Sequence, residues 1–233
     1  MTGPENPVVL IHDLAMEPVE LVPLAEAVEG FSHVYLPDLP GCGLTRGETG
    51  RKMTIRELSD AVGEWMEAVG IDSAHFVANA SGCPVAVDVA ANFPERVRSL
   101  TLAGPPMATQ LDDNWAGKVS RYARFLVTAA FEPMQLGMRF LFGESGRLAR
   151  RLAAWGAQMP LEEKLPEIEK PCLLLRGMND VMTPKRWLVN EAEPLKHVVI
   201  KTLPAGAHYI GYSHPELVAA AEREFERMFA GDS

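Results

Sequence analysis

Residues 76–83 read Phe76-Val77-Ala78-Asn79-Ala80-Ser81-Gly82-Cys83, and the way this stretch has to turn decides the fold. A short apolar run enters it from His75, and an amphipathic segment at 84–93 leaves it. A strand that reverses directly into a helix crowds its own backbone, so the positions flanking the tip need small side chains. Ala78 and Gly82 supply them. Ala80 stands at the tip, held clear of the strand's own packing. Turns of this kind present a nucleophile to a substrate. A methyl group has no lone pair with which to do so.

On either side of this turn, short β-type runs alternate with helical periodicity. Strands are expected at 8–11, 33–36, 75–77, 99–103, 172–175 and 198–202. One helix is marked by Leu21, Leu24, Ala25 and Val28 and closed by Gly30. Another begins at Thr54, whose capping box with Glu57 precedes the apolar face Ile55, Leu58, Val62, Trp65, Met66 and Val69; it stops at Gly70. A last helix covers 215–229. Alternation of this kind predicts an α/β fold with a doubly wound, mostly parallel sheet of about six strands. The runs are short and apolar, as strands covered on both faces are. Seven residues before Val8 leave no room for further antiparallel strands, so the sheet is expected to be a trimmed, all-parallel six.

The interval between Pro105 and Pro171 breaks the alternation. It carries helical stretches at 118–131, 134–142 and 146–157 and no convincing strand, and is expected to form a helical lid inserted at about 106–168 of a single domain spanning 1–233. Its apolar residues, Tyr122, Phe125, Leu126, Phe131, Met134, Phe140 and Leu141 among them, suit packing within the lid or the lining of a pocket.

Composition narrows the function classes. At 233 residues and 47% hydrophobic, the chain can bury a large core. A net charge of -9 leaves no basic surplus to neutralise phosphates, so a nucleic-acid partner is not expected and a small-molecule substrate is. Three cysteines, Cys42, Cys83 and Cys172, cannot all pair and show neither metal-ligand nor redox spacing. That usage points to a reducing, cytoplasmic setting and to no metal. No apolar run approaches the roughly 18 residues of a membrane span, and the first residues lack a signal-peptide pattern.

Four segments, in order, resemble the α/β-hydrolase superfamily. Residues Pro7 to Leu14, ending Ile11-His12-Asp13-Leu14, resemble the strand whose His-Gly-x end forms half of that family's oxyanion hole. Tyr35-Leu36-Pro37-Asp38-Leu39-Pro40-Gly41-Cys42-Gly43 is similar to the Pro-Asp-x-x-Gly-x-Gly loop after the next strand. The turn at Ala80, followed by Phe93-Pro94-Glu95-Arg96-Val97-Arg98, resembles the nucleophile turn and its helix exit. Gly177-Met178-Asn179-Asp180 with Pro184, and Gly206-Ala207-His208, resemble the acid and histidine segments.

The resemblance implies a lidded serine esterase or thioesterase, cleaving an ester, thioester or related acyl bond of a small organic substrate without a cofactor. The family's triad would fall on Ala80, Asp180 and His208, with backbone N–H groups of Leu14 and Ser81 as the oxyanion hole. His208 would move the proton and Asp180 would fix its tautomer. Oxyanion donors of this kind are worth about 2.7–4 kcal/mol each. Two departures stand out. Asp13 brings a carboxylate to a place where the family has glycine, and Ala80 leaves the nucleophile position without a hydroxyl. Three readings of Ala80 follow. It is an inactivating replacement in an otherwise complete hydrolase; or the chain is naturally nucleophile-free, binding a ligand or using His208 and Asp180 for lyase, isomerase or cyclase chemistry; or Ser81 or Cys83 takes over the role.

Overall fold

The computed structural model describes residues 6–14, 16, 18–45, 53–105 and 161–229. Six strands are present: β1 (Pro7–Ile11), β2 (His33–Tyr35), β3 (Ala74–Asn79), β4 (Val97–Ala103), β5 (Cys172–Gly177) and β6 (Val198–Leu203). They form one sheet in the order β2-β1-β3-β4-β5-β6. Every pairing is parallel. The order reverses direction between β1 and β3, the kind of switch point at which open parallel sheets bind ligands beyond the strand C-termini.

Side chains alternate along each strand, and the two sets bury against different layers. Val9, Ile11, Phe76, Ala78, Leu100, Leu102, Cys172 and Leu174 belong to one core. That core also takes residues of α2 (Ile55–Ala68) and α3 (Cys83–Asn92). Val8, Leu10, Val77, Ala103, Leu173 and Leu175 face the other, which is covered by α1 (Val22–Glu29) and the C-terminal helix Pro215–Phe229. The capping box at α2 forms in full: Thr54 Oγ1 accepts from Glu57 N–H at 3.1 Å, and Glu57 Oε2 accepts from Thr54 N–H at 2.8 Å. Cys172 is buried at the start of β5, and burial pushes its thiol up to about 12.

Three features differ from the sequence expectation or lie outside it. The edge strands are not doubly covered: His33 of β2 is exposed, and so is Ile200 of β6, because an edge has a neighbour on one side only. A helix at Lys185–Ala192, in chain order α5 after the short α4 (Leu161–Lys164), was hidden by its charged start; it buries Trp187 and Leu188. The lid expected at about 106–168, with its helical stretches and apolar residues, lies outside the described residues up to 160. At 161–168, Leu161, Leu165 and Ile168 are buried in the core beside α3, where Lys164 pairs with Asp88. A short α6 (Ile210–Ser213) precedes the C-terminal helix, α7.

Candidate active site

The tip of the turn at Ala80 has the strained backbone that a tight strand-to-helix reversal requires. Ala80 has φ 46° and is buried. A non-glycine residue in that region costs about 1–3 kcal/mol, and such strain persists only where the surrounding structure enforces it. Gly82 shows what does the enforcing. A Cβ there would lie 2.6 Å from the His12 carbonyl oxygen and 2.7 Å from that of Ile11, so the turn is pressed against the end of β1 and only glycine fits.

The acid and histidine segments meet beside this turn. Asn179 N–H donates to the Gly206 carbonyl at 3.1 Å and Met178 N–H to that of Leu203 at 3.0 Å, which locks the two loops together. Asp180 Oδ2 lies 3.1 Å from His208 Nδ1, and Asp180 Oδ1 accepts from the N–H groups of Met182 at 2.7 Å and Thr183 at 3.1 Å. Burial alone would raise this carboxyl. The His208 charge and hydrogen bond, with the two backbone donors, outweigh burial and hold Asp180 below the ordinary carboxylate range. With Nδ1–H given to Asp180, Nε2 is the basic nitrogen of His208. Gly104, at φ 56°, lets the pair sit close: a Cβ there would be 3.1 Å from His208 Nδ1 and 3.3 Å from Asp180 Oδ2.

Sequence reasoning missed the residue that stitches the acid loop. Buried Arg176 donates from Nε to the Thr183 carbonyl at 2.6 Å and from Nη2 to that of Asp180 at 2.7 Å. An arginine late in an apolar strand was the available signal, because a buried guanidinium demands acceptors.

On the β1 side the arrangement departs from an oxyanion hole. Ser81 Oγ–H donates to Asp13 Oδ1, and Ser81 Oγ accepts from Leu14 N–H at 2.9 Å. Tyr209 O–H donates to Asp13 Oδ2 at 3.0 Å, and Asp13 N–H donates to buried Glu20. The Leu14 N–H that the resemblance assigns to an oxyanion thus meets a hydroxyl, beside a buried carboxylate. Tyr209 and Glu20 were not anticipated; Tyr209 is the residue after His208, and Glu20 gave no signal. His12 donates from Nδ1 to the Asp13 carbonyl at 2.9 Å, and its Nε2 accepts from Leu39 N–H at 3.3 Å, so it orders the loops around β1. Burial lowers its pKa, against the pull of Asp13 and Asp38.

Cys83 is a poor substitute nucleophile. It is buried, its thiol points to the Ala78 carbonyl at 3.4 Å, and burial raises its pKa well above the ordinary value, with Asp13 adding to the rise. Among the described residues no group of three or more His, Cys, Asp or Glu could hold a metal ion.

The sequence profile of the alpha/beta hydrolase fold matches residues 6–136, more than half of the chain. The chain belongs to the alpha/beta hydrolase family. Among curated relatives, this alpha/beta hydrolase is 25% identical over 243 residues to the putative carbamate hydrolase RutD of Agrobacterium fabrum, covering 93% of this chain and 91% of that one. It is 25% identical over 202 residues to the abhydrolase domain-containing protein abhd-5.2 of Caenorhabditis elegans, covering 84% of this chain but 41% of the nematode protein. Solved structures show the same fold. One is a bacterial membrane phospholipase A described as a virulence factor, with TM-score 0.81, 22% identity and coverage of 97% of this chain and 80% of that chain. Another is a serine-to-alanine mutant of a meta-cleavage product hydrolase from Pseudomonas fluorescens IP01 complexed with acetates, with TM-score 0.77, 19% identity and coverage of 97% and 92%.

Proposed function

We propose that this alpha/beta hydrolase binds a small organic substrate at the switch point between β1 and β3 and acts on it by proton transfer through His208 and Asp180, without an acyl-enzyme. The chemistry would be that of a lyase, isomerase or cyclase: His208 Nε2 takes a proton from the substrate and returns it elsewhere, while Asp180 supports the imidazolium. One observation carries this reading. Ser81 and Asp13 are hydrogen-bonded to each other, and Leu14 N–H, which the resemblance assigns to the oxyanion hole, is engaged by the Ser81 hydroxyl. A tetrahedral oxyanion beside the Asp13 carboxylate would be repelled, whereas a substrate group that donates a hydrogen bond would be welcome there.

A second reading is favoured by the strained backbone of Ala80 and the tight seat of Gly82. In it the chain is an esterase or thioesterase, acting on an ester, thioester or related acyl bond, that lacks only its serine. Two variants separate the readings. Under proton transfer, Ala80→Ser alone turns over short activated esters or thioesters no faster than the parent chain, and a gain over the parent appears only in Ala80→Ser/Asp13→Gly, which restores the family's glycine. A gain over the parent in Ala80→Ser alone would overturn the first reading. The positive test is deuterium wash-in from solvent at acidic C–H positions of carbonyl compounds, which His208→Ala should abolish.

A further inference from the structure

At the edge of the sheet opposite the elbow, where the strands begin, lies a cavity of about 590 Å³ lined in part by His75, Arg98, Ser99, Phe225, Glu226 and Phe229. We propose that Ser99, His75 and Glu222 form a second site there, with Ser99 as a nucleophile toward small acyl esters. The proposal does not rest on the chemistry assigned to His208.

The residues come together for reasons visible in the register. β3 and β4 run parallel with His75 opposite Ser99, so both side chains leave the same face of the sheet, and Thr101, two positions on, joins them. The pairing slips between Ala74 and His75, an irregularity of the kind that re-aims a side chain. That face is covered by α7. Glu222, Phe225, Glu226 and Phe229 follow one another at helical spacing along a single stripe of it.

The hydrogen bonds run in series. Ser99 Oγ lies 2.7 Å from His75 Nδ1, and His75 Nε2 lies 3.0 Å from Glu222 Oε2, which also accepts from Thr101 Oγ1–H at 2.9 Å. An ionised carboxylate can only accept, so Nε2 carries the hydrogen, Nδ1 carries the lone pair, and the Ser99 hydroxyl donates to it. This is the order of hydroxyl, base and orienting acid that activates a serine, built here on the opposite ring nitrogens from those used in the serine proteases. Glu222 and His75 are buried, 1% and 3% exposed, while Ser99 is partly exposed. The carboxylate end is therefore sealed and the serine end opens into the cavity, which an ordinary buried polar cluster has no need to do. Glu222 Oε1 has no hydrogen-bond partner, which leaves the carboxylate's main commitments to His75 and Thr101.

The cavity supplies the remaining parts. Arg98 brings a cation to the wall, its guanidinium donating to the Pro7 carbonyl at 3.0 Å and to Asn6 Oδ1 at 3.4 Å, and can face the oxygen of a tetrahedral intermediate. Phe225 and Phe229 pack edge to face at 5.1 Å and offer an apolar surface to a short aliphatic or aromatic group. In the reaction Ser99 Oγ attacks the ester carbonyl carbon and its proton passes to His75 Nδ1. The imidazolium returns that proton to the departing alkoxide, which leaves as the alcohol. Water, deprotonated by the same nitrogen, then attacks the acyl carbon; the bond to Ser99 Oγ breaks, the imidazolium returns the proton to that oxygen, and the acid is released. Ser99 and His75 are the catalytic residues of this site, and Glu222 is a positioning residue.

The test uses the full chain with a fluorophosphonate probe, the adduct being mapped by peptide mass spectrometry. The expected result is a single adduct on Ser99, absent from Ser99→Ala and formed at least about 100-fold more slowly in His75→Gln, the low end of what a positioned base contributes. Ser99→Ala removes one oxygen from a partly exposed position, so its circular dichroism should match that of the parent; the comparison stands on this variant even if His75→Gln does not fold. Absence of an adduct on Ser99 after prolonged exposure, an adduct on Ser81 instead, or an equal rate in folded His75→Gln would overturn the proposal.

Discussion

Asp180 shows how one residue can tie the site to stability. Its folded carboxyl is held below the ordinary range by His208 and by the N–H groups of Met182 and Thr183, while in the unfolded chain it titrates near its reference value of about 3.9. A group whose folded pKa is depressed contributes stability that is fully present above the unfolded value and is lost as the pH falls through the folded one. Asp180→Asn should therefore be less stable than the parent at pH 7, with the gap narrowing below about pH 4. Urea denaturation of both proteins at pH 7 and pH 3 checks this, and a gap that is constant across the range would show that the carboxylate charge is not the source. The residue scale is also where the sequence was least legible: no local pattern reports a partner 196 residues away, as Asp13 is from Tyr209, and the short-range bonds of Arg176 to the acid loop and of Glu20 to Asp13 depend on how those loops fold back rather than on a regular spacing.

At the scale of elements, local chemistry carried the reading furthest. The capping box at Thr54 forms as its spacing predicts, because both of its hydrogen bonds close within one turn. Thr54→Ala should cost about 1 kcal/mol by removing the side-chain acceptor of one N–H, measurable as a shift in the urea midpoint with an unchanged slope. The strand-to-helix turn was legible for the same reason: small residues flank the tip because backbone of β1 lies directly against it, as Gly82 shows. Helix Lys185–Ala192 was not legible. Its buried positions, Trp187, Leu188, Glu191 and Ala192, include a charged residue, and its first residues are lysine and arginine, so the apolar stripe is short and interrupted.

For the whole molecule, the alternation of apolar runs was enough to expect a parallel sheet of six, and the strand order supplies what the sequence could not: a reversal between β1 and β3 that brings His12 to Leu14, Ala80 and His208 to one edge. The opposite edge holds His75 and Ser99, about as far from the elbow as the length of β3 and β4 allows. Two ends of one sheet should then answer differently to a ligand. A compound bound at a hundredfold its Kd at the switch point would add about 2.7 kcal/mol of stability. Its hydrogen-exchange protection should fall on amides of 12–14, 79–82 and 206–209. Protection confined to 97–99 and 222–229 would place that compound at the other edge instead.

The deeply buried thiols have a practical consequence. Cys83 begins α3 under the elbow and Cys172 begins β5, next to the edge strand β6; both are buried, and burial holds both in the protonated form that alkylating reagents attack slowly. Iodoacetamide should react with each only when its surroundings open. The two alkylation rates, read peptide by peptide, make the pair a built-in clock: if Cys83 is modified well before Cys172, the elbow breathes on its own, and if the two are modified together, the elbow and the sheet come apart as a single cooperative unit.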